Sequence, residues 1–291
     1  MTGCRCILAA VDPGTEAETI VSYAAYFSSA MKAPVRLLHV MDYLLTPPAY
    51  LIPYIEEEKK RGETEMAALQ AILEKAGVTS DFRLMTGRLH ESFVTAITEY
   101  KPDLMIIGYA SHAFRPSSSE RLIRSLEMPM LVVRGKRSEG SAVGSVRIRN
   151  ILCAVDFSGS SQKALQQAAV YASAFSASLH VIHAIPSHAL KGRWAEWGLS
   201  STKDIMQQFD ASVASEAREA LSRMVRDAGI EARSDLMHGM PSEVICRAAE
   251  SGEYDLVVMG ARGLSHIKGV FIGSVTEAVI KVSPCPVFIV H

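Results

Sequence analysis

The chain states one pattern twice, and that repeat limits its architecture more than any other feature. "RCILAAVDPG" begins at Arg5 and "RNILCAVDFS" at Arg149, so that Asp12 matches Asp156 and His39 matches His183 at a single offset of 144 residues. Further on, "MTGRLHESF" from Met85 matches "MHGMPSEVI" from Met237, pairing Gly87 with Gly239, Asp103 with Asp255 and Gly108 with Gly260. Each copy has the length of an ordinary domain. The stretch "GKRSEGSAVGSVR" between them is rich in Gly, Ser and charge and reads as an exposed linker. The expected division is a first domain over 1–136, a linker over 137–147 and a second domain over 148–291.

Within each copy the hydrophobic period alternates between two templates. "CILAAV" and "ILCAV" are apolar without a break, as strands buried on both faces of a parallel sheet must be. The following segments place Ala17, Ile20, Val21, Ala24, Phe27, Ser28 and Met31, and then Ala164, Leu165, Ala168, Ala172 and Phe175, at helical spacing. "VRLLHVM" and "LHVIHAI" are second strands, "DFRLM" and "ARSDLM" third, "DLMIIG" and "DLVVMG" fourth, "MLVV" and "VFIV" last. Long helices are expected over about 56–76 and 203–228. Parallel strands need crossovers, so each copy is an α/β domain with a doubly wound five-stranded sheet flanked by helices. The last strands are expected to be sheet edges through which the two copies could pair.

Composition narrows the setting. A net charge of −1 carries no electrostatic footprint for nucleic acid. No apolar run reaches the roughly 18 residues of a membrane span. The opening "MTGCRCILAAVD" is unlike a signal peptide, and five scattered cysteines suit a reducing compartment, so a soluble cytoplasmic protein is expected. Cys4 and Cys6 share a strand face, which favours packing over a metal role.

The segment "GARGLSHIKGVFIGSVTEAV" (260–279) carries the chemistry. Gly260 ends the fourth strand of the second copy, where open α/β sheets bind ligands. From Gly273 a helix opens, with Ser274 as expected N-cap and Glu277 completing a capping box. A helix start offers unpaired N–H groups to a phosphate. Gly260, Gly263 and Gly273 would let backbone approach a ligand, and Arg262 and Lys268 would add charge at the rim. Asp156, at the end of strand one, would face this loop across the switch point. No Walker loop and no G-x-G-x-x-G occurs, and a connecting turn is the alternative.

The spacing G-x2-G-x9-G-[ST], met by Gly260, Gly263, Gly273 and Ser274, together with Val155-Asp156, resembles the universal stress proteins of the ATP-binding branch. The resemblance spans nearly the whole chain as two tandem copies. It implies strand order 3-2-1-4-5 and an adenine nucleotide, ATP or ADP or AMP, with Mg²⁺ or Mn²⁺ bound through the phosphates. It places Asp156 beside adenine and ribose, the backbone of Ala184 against adenine, and Gly260, Gly263, Gly273, Ser274 and Val275 around ribose and phosphates, with Arg262 in the same loop. A homodimer and an unidentified protein partner in a stress response follow from the same resemblance.

The first copy departs from this pattern. Its stretch "GYASHAFRPSSSERLIRS" replaces Gly263 by Ser111, puts Pro116 and Ser117 where Gly273 and Ser274 stand, and is five residues shorter. Asp12, Val40, Gly108 and Ser117 would form at most a degenerate site, with Arg115 and Arg121 as anion-attracting residues. Proline offers neither glycine's freedom nor its N–H.

Other motifs are weaker. His180 and His183 lie on opposite strand faces and cannot jointly hold a metal, and the repeated His39 and His183 suggest a shared structural role. Ser158, Ser160 and Ser161 are placed to cap the first helix of their copy. Trp194, Trp197 and the stretch 44–58 are the insertions where a partner surface is expected. No catalytic base or arginine finger is recognisable, so the expected role is ATP-dependent regulation, with slow hydrolysis or a nucleotide-free interaction module as alternatives.

Overall fold

The computed structural model describes residues 5–14, 17–42, 52–109, 117–134, 146–185, 203–263 and 272–291, without the side chains of 203–210. The chain divides into two compact units, Met1–Arg147 and Ile148–His291. The expectations resting on Cys4, Ser111, Arg115, Pro116, Trp194, Trp197, Lys268, Gly269 and residues 44–51 fall outside the described residues.

In the first unit the order is β1 (Ile7–Ala10), α1 (Ala17–Met31), β2 (Val35–Asp42), α2 (Ile52–Lys75), β3 (Ser80–Gly87), α3 (Leu89–Tyr100), β4 (Leu104–Gly108), α4 (Ser118–Ser125) and β5 (Met130–Val133). All pairings are parallel and run β3-β2-β1-β4-β5. The second unit repeats this with β6 (Asn150–Ala154), α5 (Gly159–Phe175), β7 (Ser178–Ile185), α6 (Lys203–Asp227), β8 (Arg233–His238), α7 (Pro241–Glu250), β9 (Leu256–Gly260), α8 (Ser274–Val282) and β10 (Val287–Val290). Its order is β8-β7-β6-β9-β10, again parallel. Both sheets therefore have the expected 3-2-1-4-5 arrangement, whose order reverses between β1 and β4 and between β6 and β9.

The apolar runs are buried as their density requires: every residue of β1 and of β9 is inaccessible or nearly so. The inward face of α1 carries Ala17, Ile20, Val21, Ala24, Phe27 and Ser28. In α5 the face includes Ala164, Leu165 and Ala168, but the largest buried side chain is Tyr171, absent from the apolar pattern. Its ring stacks on Phe175 at 5.5 Å and meets Phe288 edge-on at 4.9 Å.

Several repeated residues acquire structural reasons. Asp103 accepts the N–H of Arg5 at 2.6 Å, and Asp255 accepts those of Arg149 and Asn150 at 2.8 and 3.0 Å, tying the start of β4 to β1 and of β9 to β6. Gly87 and Gly239 hold φ of 149° and 141° where the third strand turns into a helix, a conformation that side chains resist. His39 Nδ1 donates to the Val11 carbonyl at 3.0 Å and His183 Nδ1 to Val155 at 2.8 Å, so both rings fasten the second strand to the end of the first. The four described cysteines are buried, and burial pushes the Cys153 thiol up to about 12. No helix among the described residues is long and apolar enough to cross a membrane.

Candidate functional site

At the carboxyl ends of β6, β7 and β9 the second unit encloses a cavity of about 340 Å³. Asp156, Ala184, Gly260, Arg262, Gly263, Gly273, Ser274 and Val275 all line it. Topology explains the gathering: β6 and β9 are neighbours at the point where strand order reverses, and a crevice must open there because the chains leaving them go to opposite faces. The floor is apolar, from Val155, Ile182, Ile245 and Met259, with Pro241 at one wall.

One wall is a tightly bonded turn. Asp156 Oδ1 accepts the N–H and the hydroxyl of Ser158 at 3.1 and 2.5 Å, while Ser158 Oγ accepts the N–H of Ser161 at 3.2 Å as N-cap of α5. Of the three serines expected to cap this helix, Ser158 does so, while Ser160 and Ser161 lie within its first turn. Between Asp156 and Ser158, Phe157 adopts a left-handed φ of 65° and packs its ring on His183 at 4.3 Å. Such a conformation in a bulky residue costs about 1–2 kcal/mol and is held by the surrounding bonds.

Two of the glycines also answer a packing demand within the chain. A Cβ on Gly260 would lie 2.5 Å from Ser160 Oγ and 3.0 Å from the backbone of Ser160 and Ser161. A Cβ on Gly263 would lie 2.5 Å from Asp156 Oδ2. Both missing side chains thus make room for the chain's own first turn of α5 and for Asp156. Ser160 Oγ also donates to the Arg262 carbonyl, closing the turn against the loop. Gly273 has an ordinary extended backbone, φ −75° and ψ 154°, and its N–H donates to the Ala261 carbonyl at 2.7 Å.

The capping expectation at Ser274 is corrected. Gly273 is the N-cap of α8 and makes no side-chain cap, Ser274 is already helical, and Glu277 pairs with Lys281 at 2.6 Å. The helix starts one residue early because Thr276 Oγ1, buried, donates to the Gly260 carbonyl at 2.9 Å and pins the first turn to the end of β9. The sequence did not single out Thr276, and Ser160 was expected only as a helix cap; the signal available for both was a hydroxyl near the start of a helix. As a result the N–H groups of Ser274, Val275 and Thr276, the first turn of α8, have no acceptor within the helix and border the cavity.

The first unit has a counterpart of about 370 Å³. Asp12, Val40, Gly108 and Ser117 line it, together with Leu38, His39, Asp42 and Ile107. Here the capping box does form: Ser117 is N-cap of α4, its hydroxyl accepts the Glu120 N–H at 3.2 Å, and Glu120 accepts the Ser117 N–H at 2.9 Å. Arg121 pairs with Asp42 at 3.2 Å.

The description of the universal stress protein family matches residues 4–134 and again 147–291. The chain belongs to the universal stress protein family. Universal stress protein MJ0577 of Methanocaldococcus jannaschii is 28% identical over 156 residues, covering 50% of this chain and 96% of that protein. Universal stress protein Slr1230 of Synechocystis is 24% identical over 311 residues, 97% of this chain and 98% of its own, and so is similar to both copies together. Among solved structures, a universal stress protein from Archaeoglobus fulgidus superposes with a TM-score of 0.70 at 22% identity over 98% of each chain. That likeness bears on the fold.

Proposed function

We propose that the second unit is an adenine-nucleotide receptor, taking ATP, ADP or AMP, and that its occupancy regulates a protein partner during stress. The observation that carries the reading is the cavity of about 340 Å³ at the switch point, with an apolar floor and, at one end, three amides of α8 that have no acceptor within the helix. That volume lies in the range of small-ligand sites. The apolar slot between Val155, Ile182 and Met259 suits a base, and the positive end of α8 suits phosphates. The phosphates would meet Ser274, Val275 and Thr276, with Arg262 at the same rim. A Mg²⁺ or Mn²⁺ ion would come with the phosphates: no group of three or more His, Cys, Asp or Glu gathers among the described residues to hold a metal alone. Asp156 is engaged by Ser158 in shaping the turn, which supports binding over turnover.

The packing of Gly260 and Gly263 against the chain itself moves the weight of the proposal from the glycines to the helix start. Ser274→Pro is therefore the decisive variant. Proline is favoured at the first helical position, and the extended Gly273 before it already has the backbone a proline demands. The variant removes one amide and one hydroxyl from the cavity while sparing the fold. Calorimetric titration with Mg·ATP is expected to show one site per chain, weakened about tenfold in Ser274→Pro, or ~1.4 kcal/mol. Equal affinity in both proteins, or no binding by the parent, would overturn the reading.

A further inference from the structure

A group of side chains at the other end of the second sheet has no part in the nucleotide reading. His180 on β7, Arg233 and Asp235 on β8, and Tyr254, two residues before β9, meet near the amino ends of these strands, away from the cavity. Their hydrogen bonds run in one direction. Arg233 Nε donates to Asp235 Oδ2 at 2.7 Å, and His180 Nε2 lies 2.8 Å from the same oxygen. Burial would raise the Asp235 carboxyl, but the bonds from His180 and Arg233 prevail and hold it below its ordinary value. An ionised carboxylate only accepts, so Nε2 carries the ring proton. Burial holds the ring below its ordinary 6.5, so at neutral pH it has no second proton. Nδ1 is then an acceptor, and the Tyr254 hydroxyl beside it must donate. A carboxylate, an imidazole and a hydroxyl in series prepare the hydroxyl oxygen to attack an electrophile.

The first unit is finished differently around Arg36, the residue that matches His180. Arg36 bonds to Asp81 at 2.6 Å and lies 4.4 Å from the Tyr100 ring centre. A guanidinium has no acceptor atom, and the Tyr100 hydroxyl accepts a bond from Arg83 Nη1 at 3.0 Å. Tyr100 receives a hydrogen bond where Tyr254 gives one. Tyr254 is partly exposed, so a small reagent can reach it. Burial raises its hydroxyl above the ordinary tyrosine value and keeps it protonated at neutral pH, so its attack requires a base. We propose that Tyr254 is an acylation site, with His180 taking its proton and Asp235 orienting the imidazole. The acyl donor is a neutral activated ester. Asp235 and Glu253 flank the site against one guanidinium, Arg233, that is already paired, which disfavours an anionic phosphoryl donor. In the step, Tyr254 Oη forms a bond to the carbonyl carbon and its proton moves to His180 Nδ1. The bond to the leaving group breaks, and the leaving group departs with that proton. The products are a tyrosine ester and a free alcohol, with no change of oxidation state.

The test exposes the full chain briefly to p-nitrophenyl acetate and reads the acetyl group on each tyrosine by peptide mass spectrometry. Tyr54, 64% exposed, is the internal reference. Tyr254 is expected to react about tenfold faster than Tyr54, a fraction of what a base supplies in a full active site. Its rate is expected to climb from pH 5 through the titration of His180 and then level off, because a protonated ring cannot take the proton. The groups facing the ring and setting that titration are Asp235 and Arg233 on β8 and Tyr254 and Glu253 before β9. Tyr54 is expected to keep rising to pH 8, as tyrosines that react through the phenolate do. His180→Gln removes the base and is expected to bring Tyr254 down to the Tyr54 rate, without the plateau. His180→Arg copies the first unit and so guards against a folding defect; it is expected to abolish the plateau with a urea midpoint at pH 7 near the parent's. A parent Tyr254 no faster than Tyr54, a parent profile without a plateau, or a plateau that survives both substitutions would overturn the proposal. Preference of Tyr254 for acetyl phosphate over the ester, relative to Tyr54, would overturn the choice of a neutral donor.

Discussion

At Gly260 the strand end and the first turn of α5 approach so closely that no side chain fits between them. An added methyl group would meet backbone as well as Ser160 Oγ, so relief requires the helix start to move. Gly260→Ala is expected to destabilise the second unit by about 1–3 kcal/mol, the range for overpacking a tight contact. Gly273→Ala is the contrasting case. Its nearest neighbours to an added Cβ lie at 3.5–3.6 Å and its φ is unexceptional, so a change within about 0.5 kcal/mol is expected. Urea unfolding of the two variants checks both numbers, and equal losses would show that the packing argument is wrong. The pair also shows what a sequence conceals. The spacing of these glycines was visible, but a glycine needed for helix–strand contact and a glycine needed for a ligand look the same on paper. Only the direction in which the missing side chain points tells them apart.

At the scale of elements, the strands, their order and the helix faces were legible because each rests on a local period. Apolar runs without alternation have one solution, a parallel sheet covered on both faces. What was not legible came from contacts between elements distant in sequence. The α8 cap was misplaced by one residue because Thr276 bonds to the end of β9, a tie no local rule contains. Tyr171 was missed because a hydroxyl-bearing ring is not counted as core until its neighbours are known. The β7–β8 pair holds a third example. His180 sits between Tyr254, bonded to Nδ1, and Asp235, 2.8 Å from Nε2, with Arg233 also on Asp235 at 2.7 Å. Burial holds His180 below the usual 6.5, outweighing the Asp235 bond that favours its protonation. Above 6.5 the ring is neutral whether folded or unfolded. As pH falls through 6.5 the unfolded chain gains the proton first, so stability declines until the folded ring titrates at its lower value. Asp235 acts in a separate window below 3.8: burial raises its value, but the bonds from His180 and Arg233 prevail and hold it down. The first unit carries Arg36 at the position matching His180, paired with Asp81 at 2.6 Å and lying 4.4 Å from the Tyr100 ring centre. His180→Arg is therefore expected to remove the loss of stability just below pH 6.5, read as unfolding midpoints in urea between pH 7 and 5. An unchanged acid slope would assign that loss to another group.

For the whole molecule, duplication followed by divergence predicts that one ligand distinguishes two similar units. Both share strand order, the histidine tie to the first strand and the aspartate at the fourth, so their intrinsic architectures are alike. They differ in how the matching helix starts are finished: Ser117 and Glu120 form a capping box on α4, whereas Gly273 opens α8 with no side-chain cap of its own. A ligand that binds only the folded second unit stabilises that unit by RT ln(1 + [L]/Kd), about 2.7 kcal/mol at a hundredfold excess over Kd. The first unit gains nothing directly. Hydrogen exchange followed by mass spectrometry resolves the difference peptide by peptide. With Mg·ATP, slower exchange is expected in β6, β9 and the start of α8, about a hundredfold where exchange requires opening of the whole unit, with β1–β5 unchanged. Protection of equal size in both units would mean that both copies take the nucleotide. Weaker protection spreading from the second unit into the first, with one nucleotide bound per chain by calorimetry, would mean that occupancy of one copy is felt by the other, which is the behaviour a regulatory tandem protein requires.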